Sequence, residues 1–301
     1  MAWFVLALFS ALGFAFSNIL EKFILEKKVK NPLILFISGA FLQPLIVIFI
    51  LPFILGHNIS LSSILFSCLA GFLVVLSWIF IYLGLVRDEA SRVIAIFHVF
   101  PIFVVILAVI FLKESISLFE IGAILLAVLG AILISLKRDK LSSGLKIRRI
   151  FWIALAAAAA EAFLEIVDKH ILSQVSIWQL IFIGHLAEFF VALICFFLFK
   201  RLRQGTREIF ANFSSLKWVV VLHLVYFLSI ALFLFALVGG LVSHVSAVTT
   251  IQPLFVFILA LILSRFWPAF LEEKLDKKTI IIKIISIILI ITGILGIILK
   301  E

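Results

Sequence analysis

Charge is scarce in this chain. Of 301 residues, 25 are Lys or Arg and 16 are Asp or Glu, 14% in all, too few to clothe a water-soluble surface. Cysteine is scarcer still. Cys68 and Cys195 both lie inside apolar runs with no partner nearby in sequence, so they read as buried thiols rather than a disulfide framework or a metal site. The opening run MAWFVLALFSALGFAFS lacks the positive n-region of a signal peptide, and reads as a first membrane helix. There is no GxSxG, HExxH, Gly-rich phosphate loop or carboxylate cluster for a metal, which argues against an enzyme. No P-loop ATPase segment is present, so any pumping draws on a gradient. No cofactor and no metal are expected.

What the chain has instead is apolar sequence: 65% hydrophobic residues, where soluble domains hold roughly 45–50%, and a mean hydropathy of +1.38. Runs of about 20 apolar residues span a bilayer core. Ten such runs are predicted, at 3–25, 32–55, 61–85, 91–112, 117–136, 150–172, 177–199, 216–238, 242–263 and 279–299. The fold class is therefore an all-α, multi-pass membrane protein.

The net charge of +9 raises the question of nucleic acid, and its distribution answers it. Twenty-two of the 25 Lys and Arg fall in the odd-numbered gaps between runs or at the ends beside them, leaving Lys113, Lys169 and Lys300 for the opposite side. That is the positive-inside pattern. It reports topology and contact with anionic lipid headgroups, not a nucleic-acid partner. It places the basic odd-numbered loops in the cytoplasm of a cell membrane and both termini outside. Trp3, Trp152, Trp178, Trp218 and Trp267 fall near predicted helix ends, as interfacial anchors do.

The sequence repeats itself. AFSNILEKFIL (15–25) returns as AFLEIVDKHIL (162–172), with six of eleven positions identical. ASRVIAIFHVFPIFVVILAVIF (90–111) aligns without gaps to VSHVSAVTTIQPLFVFILALIL (242–263), with ten identities that include Ser91 with Ser243 and Pro101 with Pro253. Between these anchors Gly39 and Gln43 fall opposite Gly184 and Glu188. Two halves result, 1–136 and 150–300, joined by a basic linker at 137–149. Five helices per half is an odd number, so the second half must enter the membrane from the opposite face. That is an inverted repeat, as in many secondary transporters.

On these repeats, and on LKESISLFEIGAILLAVLGAILI (112–134) with its looser partner at 271–299, the chain resembles the EamA-type, ten-helix branch of the drug/metabolite transporter superfamily over nearly its whole length. The resemblance implies a ten-helix transporter. That family is usually oriented with its N-terminus inside, whereas the charge split here places both termini outside.

Polar residues within the runs are the candidate site, because a charge at the bilayer centre costs about 2.5–3.5 kcal/mol even on the lenient insertion scale. Glu161, Glu165 and Asp168 follow i, i+4, i+7 spacing along one helix face, and the repeat places Phe14, Asn18 and Glu21 at the equivalent positions. Both stripes are expected to face a central cavity. Glu161 is some eleven residues into its helix, about 15 Å from either end. It reads as a cavity-lining acid able to carry a proton, or as a packing hydrogen bond within the bundle. Gln43, His98, His185, Glu188, His244, Thr250 and Gln252 are the other candidates, and each has the alternative reading of a tie between two helices. His223, Trp78, Tyr82 and Tyr226 are weaker. Together they suggest a proton-coupled secondary transporter for a small metabolite (an amino acid, amine or cationic compound), acting as monomer or homodimer. The alternatives are a lipid-linked sugar flippase of similar fold and a membrane-embedded lipid-head transferase.

Overall fold

The structure, a computed structural model, describes residues 2–29, 31–54, 59–85, 90–135, 149–266 and 277–300. Most of the expected basic linker (137–148), Arg87, Trp267 and the acidic stretch 271–276 lie outside them. The described chain is helical: α1 (Ala2–Lys27), α2 (Pro32–Ile48), α3 (Leu61–Leu85), α4 (Ala90–Phe97), α5 (Phe100–Leu107), α6 (Leu118–Ser135), α7 (Arg149–Ile171), α8 (Ile177–Leu198), α9 (Lys200–Ala211), α10 (Phe213–Gly239), α11 (Val242–Thr249), α12 (Gln252–Phe266) and α13 (Lys277–Ile298). A 3-10 turn follows α2, and a π-helical turn (Ala108–Leu112) ends α5.

Seven stretches among the described residues are long and apolar enough to cross a membrane: α1, α3, α6, α8, α10, the α11–α12 run and α13. The expectation of ten spans is met in that number only. Pro32–Ile46 and Phe100–Leu112 are apolar but shorter, and the 23-residue α7 carries Glu161, Glu165 and Asp168. The segment 200–211, expected as a loop, is the helix α9.

Two of the expected spans are broken, and at aligned positions. α4 gives way to α5 at His98–Val99, and α11 to α12 at Thr250–Ile251. The cause lies three residues on. Pro101 and Pro253 have no N–H to return to the carbonyl four residues back, so the ladder opens there. At each break a polar side chain folds back onto the preceding turn. His98 Nδ1 lies 2.8 Å from the Ile94 carbonyl, and Thr250 Oγ1 donates to the Ala247 carbonyl at 2.6 Å.

The long helices pack in antiparallel pairs. Along α1 and α10, Ser10 meets Ser229, Phe14 meets Tyr226 and Phe23 meets Trp218. Along α3 and α7, Ser63 bonds Gln174, Phe66 packs on His170 and Ser77 reaches Glu161. In α2 and α8, Gln43 bonds Glu188 while Phe41 reaches Phe196. In α6 and α13, small residues bring the backbones together. A Cβ on Gly293 would stand 2.5 Å from the Ala123 carbonyl oxygen, and one on Gly130 would stand 2.7 Å from that of Ser286. Close approach of this kind replaces the hydrophobic drive that lipid cannot supply.

Candidate functional site

Between α1, α2, α3, α8 and α10 lies a cavity of about 60 Å³. At about 10–15 Å³ of such space per water, it holds a few solvent-sized groups. Its polar wall is built from Ser17, Asn18 and Glu21 on α1, Gln43 on α2, Glu188 on α8 and His223 on α10. Its aromatic wall is Phe14, Phe36, Trp78 and Tyr226. Helical spacing explains the α1 contribution: Phe14, Ser17, Asn18 and Glu21 sit at i, i+3, i+4 and i+7, one face.

Glu188, only 3% exposed, is the centre of the deep end. The Gln43 side-chain N–H donates to its Oε2 at 2.7 Å, and His185 Nδ1 lies 3.1 Å from its Oε1. Both carboxylate oxygens are thus held. Gln43 Oε1, by contrast, is buried and has no hydrogen-bond partner. A buried acceptor left open costs about 1–3 kcal/mol, which a donor arriving in the cavity would recover. The Trp78 indole and the Tyr226 hydroxyl interact across the aromatic wall.

Of the residues expected from sequence, Asn18, Gln43 and Glu188 border this cavity, and His185 stands directly behind Glu188. Glu161, Glu165 and Asp168 are not among its walls. Glu161 accepts a hydrogen bond from Ser77 Oγ at 2.9 Å on the α3–α7 seam. Glu165 is buried beside the Ser246 hydroxyl of α11, with Oε2 unpartnered. His98 and Thr250 sit at the helix breaks, each bonded to a carbonyl of the preceding turn. His244 is buried against the Trp3 ring, with Nε2 3.3 Å from Glu120 Oε1. Gln252 is the half-buried first residue of α12. Phe14 and Glu21 of the α1 stripe are on the wall, as are Trp78, His223 and Tyr226, the weaker candidates, while Ser17 and Phe36 join it without having been singled out. The usable signal was helical spacing, since Trp78 and Tyr82 sit at i, i+4 and His223 and Tyr226 at i, i+3.

The two ends of the cavity differ. At one end it reaches Pro32, the first residue of α2, close to where Lys28 Nζ donates to Ser214 Oγ at 3.1 Å. The other end of the molecule is tied by polar contacts. Lys113, in the left-handed region at φ 58°, turns the chain so that Glu114 meets the N-terminus of α11. There the Glu114 carboxylate accepts from Val242 N at 2.7 Å and from Ser243 Oγ at 2.6 Å, as a carboxylate at a helix N-terminus does. Lys169 Nζ donates to the Leu237 carbonyl and, at 2.8 Å, to that of Gly240, closing the C-terminus of α10. Lys300 lies 3.9 Å from Glu120 at the same end. Lys22, the aligned partner of Lys169, is exposed on α1.

Residues 1–136 match the sequence model of the EamA-like transporter family, consistent with an EamA-type member of the drug/metabolite transporter superfamily. No curated protein matches the chain. A solved structure described only as "Crystal structure of protein" superposes with a TM-score of 0.72, covering 98% of this chain and 94% of that one at 13% identity. At that identity the likeness is one of fold.

Proposed function

With the chain taken as an EamA-type membrane transporter, we propose that it is a proton-coupled secondary carrier of a small amine, amino acid or other cationic metabolite. It works by alternating access between two inverted five-helix halves in a ten-span cell-membrane protein. The observation that carries the substrate class is the deep end of the cavity. An ammonium group placed there has the Glu188 carboxylate for its charge, the open Gln43 Oε1 for an N–H, and the faces of Trp78 and Tyr226 for cation–π contact. An anion would meet Glu21 and Glu188, with no Lys or Arg among the described wall residues.

The helix pairing supports the two-half reading. Aligned helices lie side by side and antiparallel (α2 with α8, α6 with α13), which a two-fold axis in the membrane plane requires and an axis along the normal forbids. The remaining long pairs exchange, α1 with α10 and α7 with α3. The polar clasp at the Lys169 end and the cavity reaching Pro32 at the other are what one of two alternating states should look like.

The deciding experiment is counterflow in proteoliposomes loaded with an amine, a neutral amino acid, an organic anion or a sugar. Exchange of the amine or amino acid is expected, with at least a tenfold loss in Glu188→Gln. Exchange confined to the anion or the sugar would overturn the substrate class.

A further inference from the structure

The helix α9 takes no part in the cavity, yet its composition sets it apart. In KRLRQGTREIFA, Leu202, Thr206 and Ile209 are buried at i, i+4, i+7 and form one narrow stripe. That stripe docks on the start of α2. A Cβ on Gly205 would stand 2.2 Å from Ile34, and Ile209 shares a core with Leu35 and Leu222. Away from it, Lys200, Arg203 and Arg207 follow i, i+3, i+7, a second stripe. Among the described residues no carboxylate pairs with these three cations, although Glu208 is on the same helix. Three phenyl rings on or beside the helix are left bare: Phe199 at 55% exposure, Phe210 at 40% and Phe213 at 78%.

A short helix with unpaired cations on one flank and bare aromatics beside them suits the boundary between headgroups and acyl chains. We propose that the Lys200–Arg203–Arg207 stripe of α9 is a binding site for anionic phospholipid headgroups, with Phe199, Phe210 and Phe213 seated in the acyl region beneath. The attraction is electrostatic, so it selects by headgroup charge and falls with salt. Ile209 belongs to the same buried cluster as Leu35 and Leu222, two residues of the cavity wall. A lipid held on α9 therefore braces the mouth of the cavity through α2.

The test does not depend on what is transported. The full chain in detergent is titrated with phosphatidylglycerol or with phosphatidylcholine of the same acyl chains, and retained lipid is counted by native mass spectrometry. Wild type should retain phosphatidylglycerol in preference, and the preference should collapse in molar salt. Lys200→Gln/Arg203→Gln/Arg207→Gln should lose about fivefold in affinity for each cation removed, down to the phosphatidylcholine level. Lys113→Gln, at the other end of the molecule, should change nothing. If the triple variant fails to fold, Arg207→Gln alone, on an exposed side chain, should still lose about fivefold. Equal retention of the two lipids by wild type, or an undiminished preference in a folded variant, overturns the site.

Discussion

Glu161 tests how a membrane acid is used. It sits mid-helix on α7, follows a run of small residues and accepts one hydrogen bond, from Ser77. Two roles fit that placement: a proton carrier that exchanges as the α3–α7 seam opens, or a fixed tie between the helices. Glu161→Gln separates them, because the amide keeps the shape and can still accept from Ser77 but cannot release a proton. For a carrier role, the variant should insert and melt like wild type yet lose the pH dependence of transport. Uptake that keeps its wild-type pH profile would assign Glu161 to packing. At this scale the sequence showed which polar residues are worth asking about but not where they point. Gln43 and Glu188 stood out as aligned partners, and they touch. Glu161 and Asn18 belong to aligned stripes, but only the α1 stripe reaches the cavity, because α7 turns its acids toward α3 and α11. Periodicity fixes a face; the neighbour that face meets is tertiary information.

Among the elements, the long helices were plain from apolar run length, and both breaks were plain from aligned prolines. α9 was not. Its twelve residues carry four cations, so it shows no apolar run, and its stripe of Leu202, Thr206 and Ile209 is too short to read until α2 is there to receive it. The glycines were equally silent, and they decide the α6–α13 contact. Gly293→Val should push the two backbones apart and cost about 1–3 kcal/mol as overpacking. Gly122→Ala, on the same helix pair, has nothing within 4 Å of the added Cβ. It should be neutral or gain up to about 1 kcal/mol from helix propensity. Thermal unfolding in detergent reads both. Equal stability of the two variants would mean that the helices are not in backbone contact.

For the whole molecule, the charge split and the clasp agree on one point. The side holding Lys113, Lys169 and Lys300 is one end of the structure, and Trp3, near the N-terminus, packs on Gly240 at that same end. Reporter fusions after Lys140 and after Lys300 should therefore report opposite compartments, cytoplasmic for the first. A cytoplasmic signal from the C-terminal fusion would invert the orientation and leave the helix packing untouched.

The hydrogen bond between Gln43 and Glu188 has a bearing on ancestry. On the two-fold axis proposed to exchange the halves, a position meets its own counterpart, so two identical five-helix chains would set the same residue against itself. Two glutamates there would face each other as like charges with nothing between them, and two glutamines would leave the cavity floor without a charge. One of each, sharing a bond, is open only to halves that have ceased to be copies. A single gene holding both halves lets that difference be inherited as a unit, so this one contact would give joined halves an advantage over a pair of identical ones.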